Sequence, residues 1–590
     1  MTDYAPPIKD MLFNIRELSG IEEILALDAY ADFDLEVIEQ VVEEAGKFAA
    51  EVLGPLNIPG DQIGTSIEDK VVRIAPGFAE AYQQYVENGW QGVVVSPDHG
   101  GMGMPDVAGT AAVEALQSAC MSFSLGPMLT TGAIIALDKH GAPELKKIYL
   151  PKLATGEWTG TMNLTEPQAG SDLAAITTKA IPEGDHYRIK GSKIYITWGD
   201  HEATENIVHL VLARIEGAPE GVRGISMFLV PKYHVNDDGS IGERNDVFAA
   251  SVEHKLGIHG SPTCVMSFGD GDGAVGYLVG EENKGLACMF TMMNHARIEV
   301  GVQGLSISER AYQLARDYAL DRVQGRAPGK EGRVTIVNHA DVRRMLLLMK
   351  AGTEAMRSVA MVTAGVHNLS THGATDEARD VASRRLALLT PVVKGWMTEF
   401  AQELTSLGVQ VHGGMGYVEE TGAAQHMRDA RILTIYEGTT GIQASDLVGR
   451  KILADEGREV KALIGEMRAL DAELADDRFA TVRSTLTSGI DDLEAAVDWL
   501  LANAPADPNV PGSASVNLLM LIGTVLGGYQ MARAAVAISK GAFADDPVFA
   551  EAKTRTVDFY ATHILTRSAG YRAATMAGAD VVMSMPEEGF

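Results

Sequence analysis

Cysteine, positive charge and long uncharged runs are all scarce in this chain of 590 residues. The only three cysteines, Cys120, Cys264 and Cys288, do not form a spaced cluster. Their distribution argues against a disulfide framework and against a zinc site, and it is typical of proteins from a reducing compartment. We therefore expect ordinary buried thiols and a cytoplasmic location.

Basic residues are outnumbered along the chain. There are 49 Lys plus Arg against 79 Asp plus Glu, which gives a formal net charge of −30 and a pI of about 4.9. Residues 451–590 follow the same trend, with 12 basic against 20 acidic side chains. Binding to nucleic acid or to an anionic membrane needs clustered positive charge. The charge therefore argues against both kinds of partner.

Only one stretch could be mistaken for a membrane span. Residues 514–532 carry no charge, but they include Asn517, Gln530 and three glycines, and Arg533 follows at once. This composition predicts a buried helix of a bundle. Residues 1–10 contain no apolar signal core.

Periodicity divides the chain into four segments of an α+β protein. With 46% hydrophobic and 22% charged residues, a large core is available. Residues 1–160 are predicted to be mostly helical, 161–278 to form a β domain, 279–450 a helical bundle, and 451–590 an appended helical region. Strands are predicted where short β-branched runs alternate, and helices where apolar residues recur every three or four positions. The predicted strands are 187–190, 193–197, 207–213 and 225–230; the predicted helices include 37–47, 151–158 and 285–320; Pro505, Asp507, Pro508, Pro511 and Gly512 predict a loop.

Glu437 is the most informative candidate residue. It lies in the run Arg431-Ile-Leu-Thr-Ile-Tyr-Glu-Gly-Thr-Thr-Gly-Ile-Gln443, between an apolar stretch and a predicted helix. Gly438 permits a turn, and Thr439 or Thr440 can cap the helix. A carboxylate next to apolar side chains is easily desolvated, which raises its pKa towards the range of a general base. Alone, such a glutamate is usually a surface or capping residue.

Three further segments change that interpretation. Leu164-Thr-Glu-Pro-Gln-Ala-Gly-Ser-Asp172 offers backbone N–H groups and the Ser171 hydroxyl, which suit a phosphate, although an ordinary loop with an Asx turn is the alternative. Lys193-Ile-Tyr-Ile-Thr-Trp198 is a predicted strand. Gln410-Val-His-Gly-Gly-Met-Gly-Tyr417 has paired glycines that let a backbone approach a bulky ligand.

Together and in this order, the four segments closely resemble those of the acyl-CoA dehydrogenase family of flavoenzymes. The resemblance covers roughly residues 30–450, and it implies the acyl-CoA dehydrogenase-like fold: a helical domain, a β domain and a helical bundle, here followed by the extension. It implies that Glu437 removes the α-proton of an acyl-CoA while the β-hydride passes to flavin N5. The backbone N–H of Glu437 and a flavin ribityl hydroxyl are expected to bind the thioester carbonyl.

The resemblance also implies the ligand contacts. Tyr195 stands where the family often has Trp beside the flavin, so we expect retained stacking with altered packing. Asn294, Arg297, Gly438 and Ser171 match positions near CoA, although a salt bridge is an equal alternative for Arg297. The positions that match FAD contacts are Met162, Leu164, Thr165, Ser171, Tyr195, Ile196, Thr197, Arg322, Gln324, Gln410, Gly413, Gly414, Thr439 and Gly441.

The resemblance further implies partners and a substrate class. Arg322, Gln324 and the 410–414 run reach a neighbouring subunit's FAD in this family, so a homodimer or homotetramer is expected, with an electron-transferring flavoprotein as electron acceptor. Over its full length the chain is most similar to the subgroup that oxidises 3-methylmercaptopropionyl-CoA in dimethylsulfoniopropionate catabolism. A general fatty acyl-CoA dehydrogenase, an acyl-CoA oxidase and a non-catalytic scaffold remain as alternatives.

Overall fold

A computed structural model describes residues 4–236 and 238–590 of the chain. It contains helices and strands in a helical, β, helical order along the sequence, so the predicted α+β class is confirmed. The α-helices are α1 (Ile8–Glu17), α2 (Ile21–Leu25), α3 (Leu35–Phe48), α4 (Asn57–Ile63), α5 (Phe78–Glu87), α6 (Asp106–Ala119), α7 (Met121–His140), α8 (Pro143–Ala154), α9 (Gly285–Asp321), α10 (Ala340–His372), α11 (Asp376–His412), α12 (Ala423–Ala430), α13 (Thr440–Asp446), α14 (Arg458–Ala469), α15 (Ala480–Asn503), α16 (Val510–Ser539), α17 (Pro547–Phe559), α18 (Ser568–Thr575) and α19 (Asp580–Met583).

The strands lie mainly in the predicted β domain. They are β1 (Ser66–Glu68), β2 (Val71–Arg73), β3 (Trp158–Asn163), β4 (Lys179–Glu183), β5 (His186–Thr197), β6 (Asn206–Ile215), β7 (Ile225–Pro231), β8 (Tyr233–Val235), β9 (Ile241–Arg244), β10 (Val247–Val252), β11 (Thr263–Phe268) and β12 (Ala274–Val279). The main sheet has the order β10-β11-β5-β12-β7-β6-β3, and β4 pairs with β5 and β6. Among the described strands of this sheet, β3–β6 and β4–β6 are the parallel pairs, and the other pairs are antiparallel.

The chain divides into two compact units. The first contains residues 4–43, 105–118 and 297–590, and the second contains residues 44–104 and 119–296. In the second unit, the sheet buries β-branched and aromatic side chains on β5, β6, β7 and β11. In the first unit, α9, α10 and α11 share one continuous core with the helices of the extension. The extension therefore packs as part of the bundle.

The helix α16 is central to that shared core. Trp396 on α11 lies so close to Gly523 that a Cβ at this glycine would come within 2.1 Å of the indole. Glycine is therefore required at position 523 for the two helices to approach. Both α7 and α16 are long and apolar enough to cross a membrane, but most of each apolar stretch is buried inside the protein. Burial against the protein's own core accounts for their composition, as was predicted for residues 514–532.

Seven charged side chains, all but Lys350 buried, form the buried ion cluster of the first unit. The cluster contains Asp10, Glu114, Glu309, Lys350, Glu354, Arg357 and Lys553. Arg357 binds Asp10 (Nη1–Oδ2 2.5 Å), Glu114 and Glu309. Lys553 on α17 binds Asp10 on α1 and the Glu354 carboxylate on α10. The cluster thus ties the first helix of the chain to the extension.

Two local predictions were wrong. The segment 151–158 was predicted to be a helix, but α8 ends at Ala154 and β3 begins at Trp158. The loop predicted around Pro505 extends only to Asn509, because Pro511 and Gly512 belong to the first turn of α16. Proline is well tolerated there, since the N–H groups of a first turn have no partner within the helix.

Candidate active site

Glu437 lies in the short connection between a 3-10 turn, Arg431–Thr434, and α13. Its backbone has φ +54°, and the following Gly438 has φ +90°. A left-handed conformation costs a non-glycine residue roughly 1–2 kcal/mol, so the surroundings must hold it in place. Thr439 caps α13, because its hydroxyl accepts a hydrogen bond from the Ile442 N–H at 3.2 Å. The turn and the cap predicted from the sequence are both present.

Two buried side chains hold the carbonyls of this turn. Gln443 Nε2 donates to the Glu437 carbonyl at 3.0 Å. Lys394 Nζ, from the middle of α11, donates to the Gly438 carbonyl at 2.7 Å. Within the described residues, the backbone N–H of Glu437 donates to no acceptor and its carboxyl makes no hydrogen bond or ion pair. A carboxyl and an N–H group at the same residue are thus available to a ligand.

Burial raises the pKa of Glu437 to about 7, although the charges of Arg297 and Lys394 act in the opposite direction. Arg297 is itself buried and pairs with Asp446 (Nη1–Oδ2 3.8 Å). The structure thus shows the salt bridge that was one alternative for Arg297, and a contact with CoA stays a prediction. A carboxyl with this pKa exchanges protons near neutral pH, which is what a general base requires.

The predicted flavin-contacting segments of the second unit lie side by side. The Ile194 N–H on β5 donates to the Thr165 carbonyl at 2.9 Å, and Lys193 Nζ donates to the Leu164 carbonyl at 2.9 Å. Tyr195 has φ +61° and is 61% exposed. Its aromatic ring is therefore free to stack on a ligand. Asp172 forms the predicted Asx turn, with Oδ1 accepting from the Ala174 N–H at 2.9 Å.

Glu166 shapes this loop, and sequence reasoning did not single it out. Its carboxylate accepts hydrogen bonds from the backbone N–H and the hydroxyl of both Thr177 and Thr178, at 2.6–3.0 Å. It also pairs with the buried Lys193 at 2.8 Å. Burial would raise the pKa of Glu166, but Lys193 and these hydrogen bonds lower it to about 2. In the sequence, the acidic residue between Thr165 and Pro167 was the feature that could have identified this role.

We predict that Glu166→Gln lowers the free energy of unfolding at pH 7 by about 3 kcal/mol, because it leaves the buried Lys193 without its counter-charge. The folded-state pKa is below the usual value of 4.5, so the carboxylate stabilises the protein above pH 4.5. This contribution disappears as the pH falls towards 2. Urea denaturation at several pH values measures it. Glu183→Gln, which removes an exposed partner of Arg188 in the same sheet, is the control and should change little. An equal effect of both substitutions would contradict the prediction.

The remaining predicted ligand residues lie mainly at the surface. Met162 and Ile196 are buried, so only their backbone could contact a ligand directly. Leu164, Thr197 and Thr439 are partly buried, and the exposed residues are Ser171, Asn294, Arg322, Gln324, Gln410, Gly413, Gly414 and Gly441. A Cβ on Gly413 or Gly414 would meet nothing within 4 Å, so the space around both is open. His412 stacks on Tyr318 with ring centroids 4.4 Å apart, which supports a packing role.

Sequence profiles of one family match four successive parts of the chain. They are described as acyl-CoA dehydrogenase, N-terminal domain (residues 36–157), middle domain (161–270) and C-terminal domain (283–453), and acetyl-CoA dehydrogenase C-terminal like (459–586). A protein of Ruegeria pomeroyi named 3-methylmercaptopropionyl-CoA dehydrogenase is 48% identical over 95% of this chain and 96% of its own length. This chain belongs to the acyl-CoA dehydrogenase family. The resemblance of the four sequence segments is thereby confirmed.

Other relatives also match this chain over nearly its full length. A butyryl-CoA dehydrogenase of Syntrophomonas wolfei is 32% identical over 99% of both chains. The crystal structure of an acyl-CoA dehydrogenase from Bacillus anthracis, complexed with FAD, covers 97% of this chain and 93% of its own with a TM-score of 0.75. At 22% identity this likeness shows the fold, including that of the extension.

Acyl-CoA dehydrogenases bind FAD, and the side chains of this dehydrogenase suit that cofactor. Tyr195 offers an exposed aromatic face for a flat ring system, Ser171 an exposed hydroxyl, and Arg322 an exposed guanidinium for a phosphate. In the first unit, taken by itself, the backbone at Gly413 and Gly414 is open to the approach of a ligand. FAD is therefore the cofactor of this enzyme, and the assignment of individual contacts stays a prediction.

Proposed function

We propose that the enzyme oxidises 3-methylmercaptopropionyl-CoA to methylthioacryloyl-CoA, with Glu437 as the base. The observation that carries the proposal is the Glu437 carboxyl, which makes no hydrogen bond or ion pair with any residue that the structure describes and has a pKa of about 7. The 48% identity with the Ruegeria pomeroyi enzyme supports the thioether substrate. The location is proposed to be cytoplasmic.

Two groups of Glu437, its carboxyl and its backbone N–H, have separate roles in the proposed reaction. Glu437 takes the α-proton, and its free backbone N–H donates to the thioester carbonyl, where negative charge develops. Such a donor contributes roughly 3–4 kcal/mol to the stability of the transition state. FAD, when bound, supplies the hydride acceptor that no amino-acid side chain provides. Loss of the α-proton and of the β-hydrogen as a hydride leaves a double bond between the two carbons.

The substrate proposal is tested by a comparison of kcat/KM across thioesters. The panel contains the thioether, C4, C5, C8 and C16 acyl-CoAs, with a ferrocenium or dye acceptor. A thioether sulfur resembles a methylene in size and polarity, and apolar pockets discriminate one methylene by only about 1–3 kcal/mol. We expect a maximum with the thioether, weaker turnover of C4 and C5, and little with C16. A maximum at C8 or beyond contradicts the assignment.

A general acyl-CoA dehydrogenase is the second candidate, because the Syntrophomonas wolfei relative matches over the full length. The same panel separates the two. Anaerobic reduction of the flavin followed by exposure to oxygen separates both from an acyl-CoA oxidase, whose reduced flavin reacts rapidly with oxygen. If no acyl-CoA reduces the flavin, a non-catalytic scaffold is the remaining alternative.

We further propose a homodimer or homotetramer that passes electrons to an electron-transferring flavoprotein. The exposed Arg322, Gln324 and 410–414 run support the oligomer, because these positions complete a neighbour's FAD site in the family. Binding of FAD and assembly are then linked, so dilution to monomer releases the flavin. If light scattering shows a monomer that still retains its flavin, the proposed link between assembly and FAD binding is wrong.

A further inference from the structure

Lys394 is a fully buried lysine that sequence reasoning did not identify. It lies in the middle of α11, within the run Leu388-Leu-Thr-Pro-Val-Val-Lys-Gly-Trp-Met397, and its exposed fraction is 0%. In the sequence, a single lysine within such an apolar stretch was the feature that could have identified it. Within the described residues, its ammonium group makes one hydrogen bond, to the Gly438 carbonyl.

Placing an ammonium group there is costly. A buried charge without a paired carboxylate is destabilised by several kcal/mol relative to water. Lys394 forms no ion pair within residues 4–236 and 238–590. Burial accordingly lowers the pKa of Lys394 to about 8, even though the nearby Glu437 and Glu399 raise it. A neutral residue of the same size would pack in this helix at lower cost, so the charge has another use.

One use of Lys394 is geometric. Consecutive carbonyls of the turn, those of Glu437 and Gly438, accept hydrogen bonds from Gln443 and Lys394 respectively. These bonds come from two different helices, α13 and α11, to a backbone that is left-handed at two successive residues. The two donors fix the peptide planes and therefore fix the direction of the Glu437 side chain and N–H group.

The other use is electrostatic. Lys394 and Arg297 are the two cations that lower the pKa of Glu437 against the effect of burial. Asp446 pairs with Arg297, and Arg450 lies near Asp446 at 3.3 Å. Glu399, five residues after Lys394 on α11, accepts a hydrogen bond from Thr440. Of these two cations, Arg297 shares its charge with Asp446, whereas Lys394 has no bonded carboxylate among the residues that the structure describes.

We infer that Lys394 is a positioning residue for the catalytic base: its ammonium holds the turn through the Gly438 carbonyl, and its charge stabilises the carboxylate form of Glu437. This inference rests on the proposed function of Glu437. It assigns Lys394 no contact with the substrate or with the flavin. Its two effects can be separated, since Gln443 contributes to the geometry alone.

The test is the pH dependence of flavin reduction by a reactive acyl-CoA in an anaerobic stopped-flow instrument. Lys394→Met should move the midpoint of the pH profile upward by about one unit, because an adjacent opposite charge shifts a pKa by about that amount or more. At pH 7 the ionised fraction of Glu437 then falls from about one half to about one tenth, so reduction should be about fivefold slower. Lys394→Arg should restore the midpoint. Gln443→Leu should slow reduction at every pH without a shift.

A second measurement needs no turnover. In Lys394→Met, the pKa of Glu437 in the folded state is raised further, so the folded protein favours the protonated carboxyl. Glu437 then contributes stability at low pH. This contribution is lost as the pH rises from about 4.5 through the pKa of the folded state. Glu437→Gln added to Lys394→Met should remove this part of the pH dependence of unfolding. If Lys394→Met does not fold, Lys394→Gln, which keeps a donor without the charge, replaces it.

The outcomes are distinct. If the midpoint of the pH profile is the same in the wild type and in Lys394→Met, or in Lys394→Gln where that variant replaces it, the electrostatic part of the inference is wrong. An unchanged rate in Gln443→Leu overturns the geometric part. If the wild-type flavin is not reduced by any acyl-CoA, the proposed function fails, and the unfolding measurement alone still tests whether Lys394 lowers the pKa of Glu437.

Discussion

Glu437→Gln is expected to reduce the flavin at least about 100-fold more slowly than the wild type, while it still binds FAD and acyl-CoA. Glutamine fills the same volume and keeps the backbone N–H, but it cannot accept the α-proton, and a positioned base contributes about 10²- to 10⁴-fold. Single-turnover reduction under anaerobic conditions measures the rate, and ligand-induced changes in the flavin spectrum measure binding. In the wild type, the rate should rise with pH through about 7 and then level, because the carboxylate is the active form.

A matched control is Glu399→Gln. Glu399 is a carboxylate of α11 that accepts a hydrogen bond from Thr440, close to the same turn. It has no assigned proton transfer, so its removal should change the rate only a few-fold. Flavin reduction by Glu437→Gln at more than about one hundredth of the wild-type rate would place the base at another residue.

The second large effect is expected from Lys553→Met in the buried ion cluster. This substitution leaves Asp10 and Glu354 without one of their cations in the protein interior. Removal of one partner from a buried pair costs about 3–5 kcal/mol, because the remaining charge is uncompensated. The free energy of unfolding of the full chain should fall by this amount, as measured by chemical denaturation.

The pH dependence of the same variant adds a check. Burial would raise the pKa of Asp10, but Lys553 and Arg357 hold it well below its usual range. The wild type is therefore stabilised above about pH 4 and loses this contribution as the pH falls further. The loss should be smaller in Lys553→Met. Lys540→Met removes an exposed pair with Glu473 and is expected to cost less than about 1 kcal/mol. Equal costs of the two substitutions would contradict the buried-charge argument.

Much of the fold followed from local pattern. The strands predicted at 187–190 and 193–197 form one continuous β5, and the long helix predicted from Gly285 to Leu320 is α9. Alternation and apolar spacing decide such elements, because each reflects one buried face. Residues 151–158 were assigned wrongly because a helix end and a strand start follow one another within four residues, which periodicity does not resolve.

The candidate site was predictable in part. Glu437 and the cap at Thr439 lie within one short segment, so local sequence identified them. Lys394 precedes Glu437 by 43 residues, and Glu166 meets Thr177 and Lys193 only after the loop has folded onto β5. Such partners depend on tertiary placement, which no local pattern contains. The buried ion cluster joins Asp10 to Lys553 and was missed for the same reason.

The position of α16 in the core has a consequence for the order of synthesis. Both α10 and α11 are complete at His412, yet the helix that covers Trp396 lies at 510–539, and Lys553, one of the two cations that bind Asp10, follows later still. A ribosome adds about 5–20 residues per second, so roughly 7–30 seconds separate these points. During that interval the apolar face of the nascent bundle has no covering helix, and we expect the chain to be most prone to aggregation at this stage of translation.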